Sequence, residues 1–243
     1  MADLLRVDDL SAGYGGATIL NAISFAISAG QSLALLGRNG TGKTTLINSV
    51  VGLTERHSGA IALNGQDITA MRPDQRAALG IGWVPQERNI FRSLTVAENL
   101  TATARPGPWN SARVYALFPR LHERRENLGT QLSGGEQQLL AIGRALMLNP
   151  QVLLLDEALE GLAPIAAEHV LSVVRKLIRD EGMSAIVVEQ KAMKILEITD
   201  HALILERGEI AYSASADTLM ARPDILETYL GVKLGGDGRK PGA

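Results

Sequence analysis

The chain has 243 residues, 46% hydrophobic but only 4% aromatic, so its core must be built from Leu, Ile, Val and Ala, as suits a parallel sheet with helices on both faces. The near balance of 24 basic and 26 acidic residues argues against a general nucleic-acid-binding surface, and the lack of cysteine excludes disulfides and thiolate metal sites. No stretch approaches the roughly 20 apolar residues that span a bilayer, and the opening MADLLRVDD carries acids where a secretory leader needs a basic start. A soluble chain is expected, with any membrane role coming through a partner.

Periodicity predicts short strands alternating with helices. Leu4 to Leu10 and Ile19 to Ile27 read as early strands, with Gly13, Gly15 and Gly16 turning between them. Ser32 to Leu36 is an apolar strand running into GRNGTGKTT, then a helix ending near Gly52. Asn64-Gly65 is a two-residue hairpin turn between Ala60–Leu63 and Gln66–Ile68, and Ile81 to Val84 is another strand. From about 95 to 131 the rhythm breaks: Thr95 with Glu98 forms a capping box opening a helix, and Pro106, Gly107 and Pro108 interrupt it. Ser133 with Glu136 forms a second capping box, opening a helix that stops at Asn149-Pro150. Val152 to Leu155, Ala185 to Val188 and Ala202 to Leu205 read as strands, with a helix from Pro164 between the first two. The tail GGDGRKPGA reads as disordered.

Three motifs carry chemistry. Gly37 to Thr44 matches GxxxxGK[ST], the Walker A pattern, with the strand before it and helix after it that the pattern requires. Its glycines let backbone N–H groups turn inward onto phosphate oxygens; Lys43 can reach the β- and γ-phosphates, and the Thr44 hydroxyl can sit on Mg²⁺. Asp156-Glu157 ends an apolar strand, as in a Walker B element, where Asp156 supports Mg²⁺ and Glu157 polarises the attacking water. Leu132-Ser133-Gly134-Gly135-Glu136 lies about 20 residues earlier. An ordinary capped helix explains Ser133 and Glu136 but not the paired glycines, which weaken a helix; free N–H groups at such a start favour an anion.

With LSGGE in place the chain resembles the ATP-binding subunits of ABC transporters along almost its whole length. The resemblance implies an α/β fold, a P-loop NTPase core with an antiparallel β-subdomain and a small α-helical subdomain. It divides a single domain of residues 1–234 into a core (1–86 and 132–234) and helical residues 87–131, leaving 235–243 as tail. It also implies ATP and Mg²⁺ as cofactors and a head-to-tail pair of ATPase subunits, homo- or heterodimeric, in which each ATP lies between one Walker A motif and the other subunit's LSGGE. The nucleotide contacts so implied are Tyr14 (stacking on adenine), Gly37, Asn39, Gly40, Gly42, Lys43, Thr44, Thr45, Gln86, Ser133, Gly134, Gly135, Glu136 and Asp156. Thr44, Gln86 and Asp156 are the implied Mg²⁺ residues, and Glu157 and Gln190 the catalytic ones. The segment from Arg88 to Leu94 would face a membrane subunit, placing the chain on the cytoplasmic face of the plasma membrane. Two permease subunits, and indirectly an extracellular substrate-binding protein, are the further partners.

The runs LSGGEQQLLAIGRALM, Gly161-Leu162-Ala163-Pro164, Val188-Glu189-Gln190 and Thr228-Tyr229-Leu230-Gly231 look like the smaller ATPase of branched-chain amino-acid importers; importers of urea and short amides share much of this pattern. Two departures stand out. Gln190 replaces the His usual after the strand that follows Walker B, so this position can donate a hydrogen bond but not carry a positive charge. Ala158-Leu159-Glu160 replaces the usual Pro-Ser/Thr-x, which implies a weaker or asymmetric ATP sandwich, and Glu160 itself reads as a solvated loop carboxylate. A non-transport ATPase of DNA repair or translation fits less well, since only about 45 residues separate Gln86 from Leu132 and there is one cassette.

Overall fold

The computed structural model describes residues 3–231. Two long strands, β1 (Asp3–Tyr14) and β2 (Ala17–Ser28), precede the fully buried β3 (Ser32–Leu36) and the helix α1 (Lys43–Val51), which Gly52 closes. In the hairpin of β4 (Glu55–Leu63) and β5 (Gln66–Asp67), both turn residues, Asn64 and Gly65, take the positive φ that a right-twisted two-residue hairpin requires. Pro73 opens α2 (Pro73–Leu79), which leads to β6 (Ile81–Val84). Three short helices interrupt the strand–helix rhythm, α3 (Val96–Thr101), α4 (Ser111–Leu117) and α5 (Pro119–Glu123). Then come α6 (Gly134–Leu146), β7 (Val152–Asp156), α7 (Pro164–Arg179), β8 (Ser184–Val188), α8 (Ala192–Leu196), β9 (His201–Glu206), β10 (Glu209–Ser215), α9 (Ala216–Met220) and α10 (Pro223–Leu230).

These strands make two sheets. One is antiparallel, in the order β2-β1-β4-β5; the other runs β10-β9-β3-β8-β7-β6, parallel except for β10 at its edge. Side-chain alternation assigns the faces. Leu33 and Leu35 of β3, Val152 and Leu154 of β7, and Ile186 and Val188 of β8 join the core that holds α1 and the antiparallel sheet. Their neighbours Ala34, Leu36, Leu153, Leu155, Ala185 and Val187 face the core that holds α6 and α7. Both faces are therefore covered, which is why these strands read as continuous apolar runs.

The N-terminal half of this pattern is legible in the sequence, and both capping boxes form as expected at Thr95–Glu98 and Ser133–Glu136. The differences have local causes. The first strands extend several residues further, because β1 is paired on both sides, by β2 and by β4, out to Gly13. The helix expected to reach Asn149 ends at Leu146, and Asn149 takes φ 56 while its side chain binds the backbone at Arg105 and Trp109. β10, α2 and the last three helices were not expected; all are short, and β10 is only half-buried on an edge. The tail expected to be disordered, 235–243, lies outside the described residues.

One buried cation anchors α1, the helix on which the phosphate-binding loop rests. Arg76 on α2 is 4% exposed, and its guanidinium donates to the carbonyls of Ser49 (2.7 Å) and Val50 (2.9 Å) in the last turn of α1. It also bonds the carbonyls of Met71 and Thr69, so it satisfies groups that a helix end would otherwise leave unpaired. Arg76→Met is expected to lower the unfolding free energy by about 3 kcal/mol or more, since the carbonyls of Ser49, Val50, Met71 and Thr69 all lose their charged donor, as measured by urea melts.

Candidate nucleotide-binding site

Ligand sites in open parallel sheets lie beyond the carboxyl ends of the strands. Four neighbouring strands, β3, β8, β7 and β6, each deliver a motif there. The Walker A loop follows β3, Gln190 follows β8, Asp156 ends β7 with Glu157 after it, and Gln86 lies just beyond β6. Gln86, Glu157 and Gln190 line one cleft of about 390 Å³ together with Asn39, Gly40, Gly42, Lys43, Thr44, Thr45 and Glu160. Gly37 and Asp156 are not among its lining residues, though Asp156 lies against the Thr44 hydroxyl that is.

The loop itself is shaped by close approach to β9. Gly37 takes φ 148, and a Cβ there would meet the Leu205 carbonyl oxygen at 2.6 Å, so only glycine fits. Lys43 is buried, and its ammonium donates to the carbonyls of Gly37 (2.9 Å) and Arg38 (3.0 Å) of the same loop. Burial lowers its pKa, opposed chiefly by Glu157, whose carboxylate lies 3.9 Å away. The Thr44 hydroxyl sits 3.4 Å from a carboxylate oxygen of Asp156, joining residues 112 apart in sequence. Burial raises the pKa of Asp156, while the Thr44 hydroxyl and Lys43 oppose that rise.

Glu157 has a left-handed backbone, φ 48, which costs a residue with a Cβ on the order of 1–3 kcal/mol. Its N–H donates to Val188 (3.0 Å), and its carboxylate accepts from the Gln190 amide (3.3 Å). Burial first, and the neighbouring Glu160 carboxylate second, push its pKa up to about 7. Glu160 is exposed, as its reading as a solvated loop carboxylate expects, and it also lines the cleft. It accepts a hydrogen bond from the Gln86 amide, and the Arg88 guanidinium reaches its carbonyl at 3.4 Å.

Leu159, where the family usually has Ser or Thr, turns inward. Its side chain is 6% exposed and packs in this chain's own core, while its N–H donates to Glu189 at 2.7 Å. Glu189 entered the sequence reading only within the run Val188-Glu189-Gln190, with no role of its own; only the structure shows it as a buried acid that partners a loop 30 residues away.

Some expected contacts lie away from this cleft. Ser133, Gly134, Gly135 and Glu136 start α6, where Ser133 caps the helix and Glu136 pairs with Arg124 at 3.1 Å. None of the four lines the Walker A cleft; Ser133, Gly135 and Glu136 line a separate pocket with Arg120, Arg124 and His169. A Cβ on Gly135 would stand 2.9 Å from that of Ala166, so one of the paired glycines also serves the approach of α7 to α6. Tyr14, 41% exposed at the end of β1, accepts a hydrogen bond from Asn48 of α1 at 2.7 Å. In the 88–94 segment Phe91 is exposed beneath the Arg144 guanidinium, 4.7 Å from its carbon, and Asn99 binds the loop backbone at Phe91 and Leu94.

A family model described as ABC transporter matches residues 20–160. Over 236 residues the chain is 37% identical to the high-affinity branched-chain amino acid transport ATP-binding protein BraG of Pseudomonas aeruginosa, covering 94% of this chain and all of the relative. The chain belongs to the ABC transporter ATP-binding family. It is also 33% identical to the lipopolysaccharide export system ATP-binding protein LptB of Haemophilus influenzae, over 94% of this chain and 97% of that one. The crystal structure of the ADP conformation of MJ1267, an ATP-binding cassette of an ABC transporter, superposes with a TM-score of 0.80 at 25% identity, covering 96% of this chain and 100% of the other. This ABC ATP-binding subunit is therefore an ATP hydrolase with the cassette fold, and among its described residues no helix is long and apolar enough to cross a membrane.

Burial raises the pKa of Glu189 from 4.5 to about 7; the nearby Glu157 also raises it, and the Leu159 N–H acts against the rise. A carboxyl group raised in the fold holds its proton there after the unfolded chain has lost its own. Stability from this group therefore falls as pH rises from about 4.5 through 7. In thermal melts between pH 5 and 8, Glu189→Gln is expected to lose less stability with rising pH than the unmodified subunit.

Proposed function

We propose that this subunit hydrolyses Mg-ATP to energise a branched-chain amino-acid importer, in a site completed by a second ATP-binding subunit. The separation of the LSGGE helix start from the Walker A cleft carries this reading. One chain presents two half-sites facing different space, as a head-to-tail pair with a copy or a paralogue requires. Two polytopic permeases, an external binding protein and a place on the cytoplasmic face of the membrane complete the assembly. The segment around Phe91 and Arg144 is the surface proposed for the permease.

The backbone from Gly37 to Thr45 and the Lys43 ammonium bind the phosphates, and Tyr14, outside the cleft lining, supports the adenine. Ser133 to Glu136 meet the partner's nucleotide. The Thr44 hydroxyl, Asp156 carboxylate and Gln86 side chain suit Mg²⁺, a hard cation that takes oxygen ligands and shares them with phosphates. Held by these residues, Mg²⁺ would supply charge neutralisation on the phosphoryl oxygens. Glu157 takes the proton of the attacking water, and its raised pKa puts it near the range that suits a general base. Gln190 orients Glu157 and the γ-phosphate without adding charge.

The greater identity to BraG than to LptB supports amino-acid import over lipopolysaccharide export. Glu160 gives some weight to a second reading, import of urea or a short amide, whose ATPase subunits it resembles at this position. Uptake of labelled leucine, urea and acetamide in a deletion strain separates these. Leucine uptake is expected to vanish and to return with the wild-type gene but not with Lys43→Ala; loss of urea or acetamide uptake alone would move the assignment. In ATPase assays of the assembled transporter, Glu157→Gln should lower kcat by about 10²–10⁴-fold and Gln190→Ala by much less. The reverse order would overturn the division of roles.

A further inference from the structure

The strained backbone of Glu157 needs something to hold it. Its φ of 48 is a conformation that residues with a Cβ occupy only when their surroundings over-determine it. Three consecutive residues at the end of β8 supply that hold. The Val188 carbonyl accepts the N–H of Glu157 at 3.0 Å, and the Gln190 amide donates to the Glu157 carboxylate at 3.3 Å. Between them the Glu189 carboxylate, 4% exposed, accepts the N–H of Leu159 at 2.7 Å. Val188 is the ladder partner of Asp156, so the first of these contacts continues the strand pairing. The Glu189 contact does not: it reaches past the last paired residue to clamp the loop on the far side of Glu157.

We propose that Glu189 is a positioning residue for hydrolysis: its buried carboxylate ties down the Leu159 amide and so keeps Glu157 turned into the ATP cleft. The inference rests on Glu157 acting as the base. The chain turns at Glu157, where the Glu160 N–H donates to the Glu157 carbonyl at 3.0 Å, and its direction is set by what fixes each side of the turn. Asp156 is held on one side by β8, and Leu159 on the other by Glu189 and by its side chain in the core. The same peptide run that carries Glu189 continues into Gln190, so one anchor sets both the base and its hydrogen-bond partner. Glu189 does not line the cleft, so its loss should leave nucleotide binding in place and reduce the chemical step.

The test uses the full chain in its assembled transporter, with Glu189→Gln, Glu189→Asp, Glu189→Ala and Glu157→Gln measured side by side. Gln keeps an acceptor oxygen at the same reach, Asp keeps the charge but withdraws it by one methylene, and Ala removes both. Asp and Ala are expected to lower kcat on the order of 10- to 100-fold with KM for ATP little changed, the cost of a misplaced catalytic group. Gln is expected to recover most of that loss. Full kcat in Asp and Ala would overturn the proposal. So would a Gln variant as slow as Ala, since charge rather than the acceptor would then matter, and so would kcat and ATP affinity falling together with thermal stability. Glu157→Gln separates the two ideas: if it still hydrolyses ATP at the normal rate, the assignment of the base fails, whereas its inactivity beside fully active Asp and Ala variants removes only the role of Glu189.

Discussion

The site depends on β8 pairing in parallel with β3 on one side and β7 on the other. Because the strands are parallel, the motifs that follow them emerge at one edge, although they lie far apart in sequence. The register is what matters: Leu35 pairs with Val188, and Asp156 pairs with Val188 from the other side. A slip of one residue would exchange the two cores, since Val188 and Val187 face opposite layers. Burial on both faces thus specifies the alignment that brings Lys43, Glu157 and Gln190 into one cleft, with Asp156 against Thr44 beside them.

Bringing those groups together concentrates negative charge. Asp156, Glu157 and Glu160 share the neighbourhood of one ammonium, itself buried and engaged with loop carbonyls. Burial and repulsion from neighbouring carboxylates push the pKa values of Asp156 and Glu157 up, most visibly at Glu157. The arrangement is electrostatically costly, because burial and like charges both disfavour the ionised carboxylates. The contacts with neutral donors, Thr44 to Asp156, Gln190 to Glu157 and Gln86 to Glu160, are the fold's own partial compensation.

The departures around the second acid acquire a physical meaning in this setting. Leu159, which stands where the family usually has Ser or Thr, is a buried anchor whose apolar side chain fills the chain's own core. Ala158 beside it is equally buried. The loop is therefore held from within the subunit, by packing and by Glu189, rather than left open toward a neighbour. Glu160, the next residue, remains at the surface and engages Gln86, so a single turn of chain passes from core anchor to cleft wall in two residues.

Much of this was determined by the sequence alone. The spacing of Gly37 to Thr44, the apolar run into Asp156-Glu157 and the capped LSGGE helix are local patterns, and local backbone preferences set turns, caps and strand faces. The resemblance they carry also named the cofactor class and the need for a second subunit. What only the tertiary structure decided are the contacts between segments distant in sequence. The left-handed turn at Glu157, the grip of residues 188–190 on it, the burial of Leu159 and the pairing of Gln86 with Glu160 each need two strand ends in place at once. No periodicity records such contacts, because they depend on the order of strands in a sheet; a buried acid such as Glu189 reads in sequence as one more residue at the end of an apolar strand.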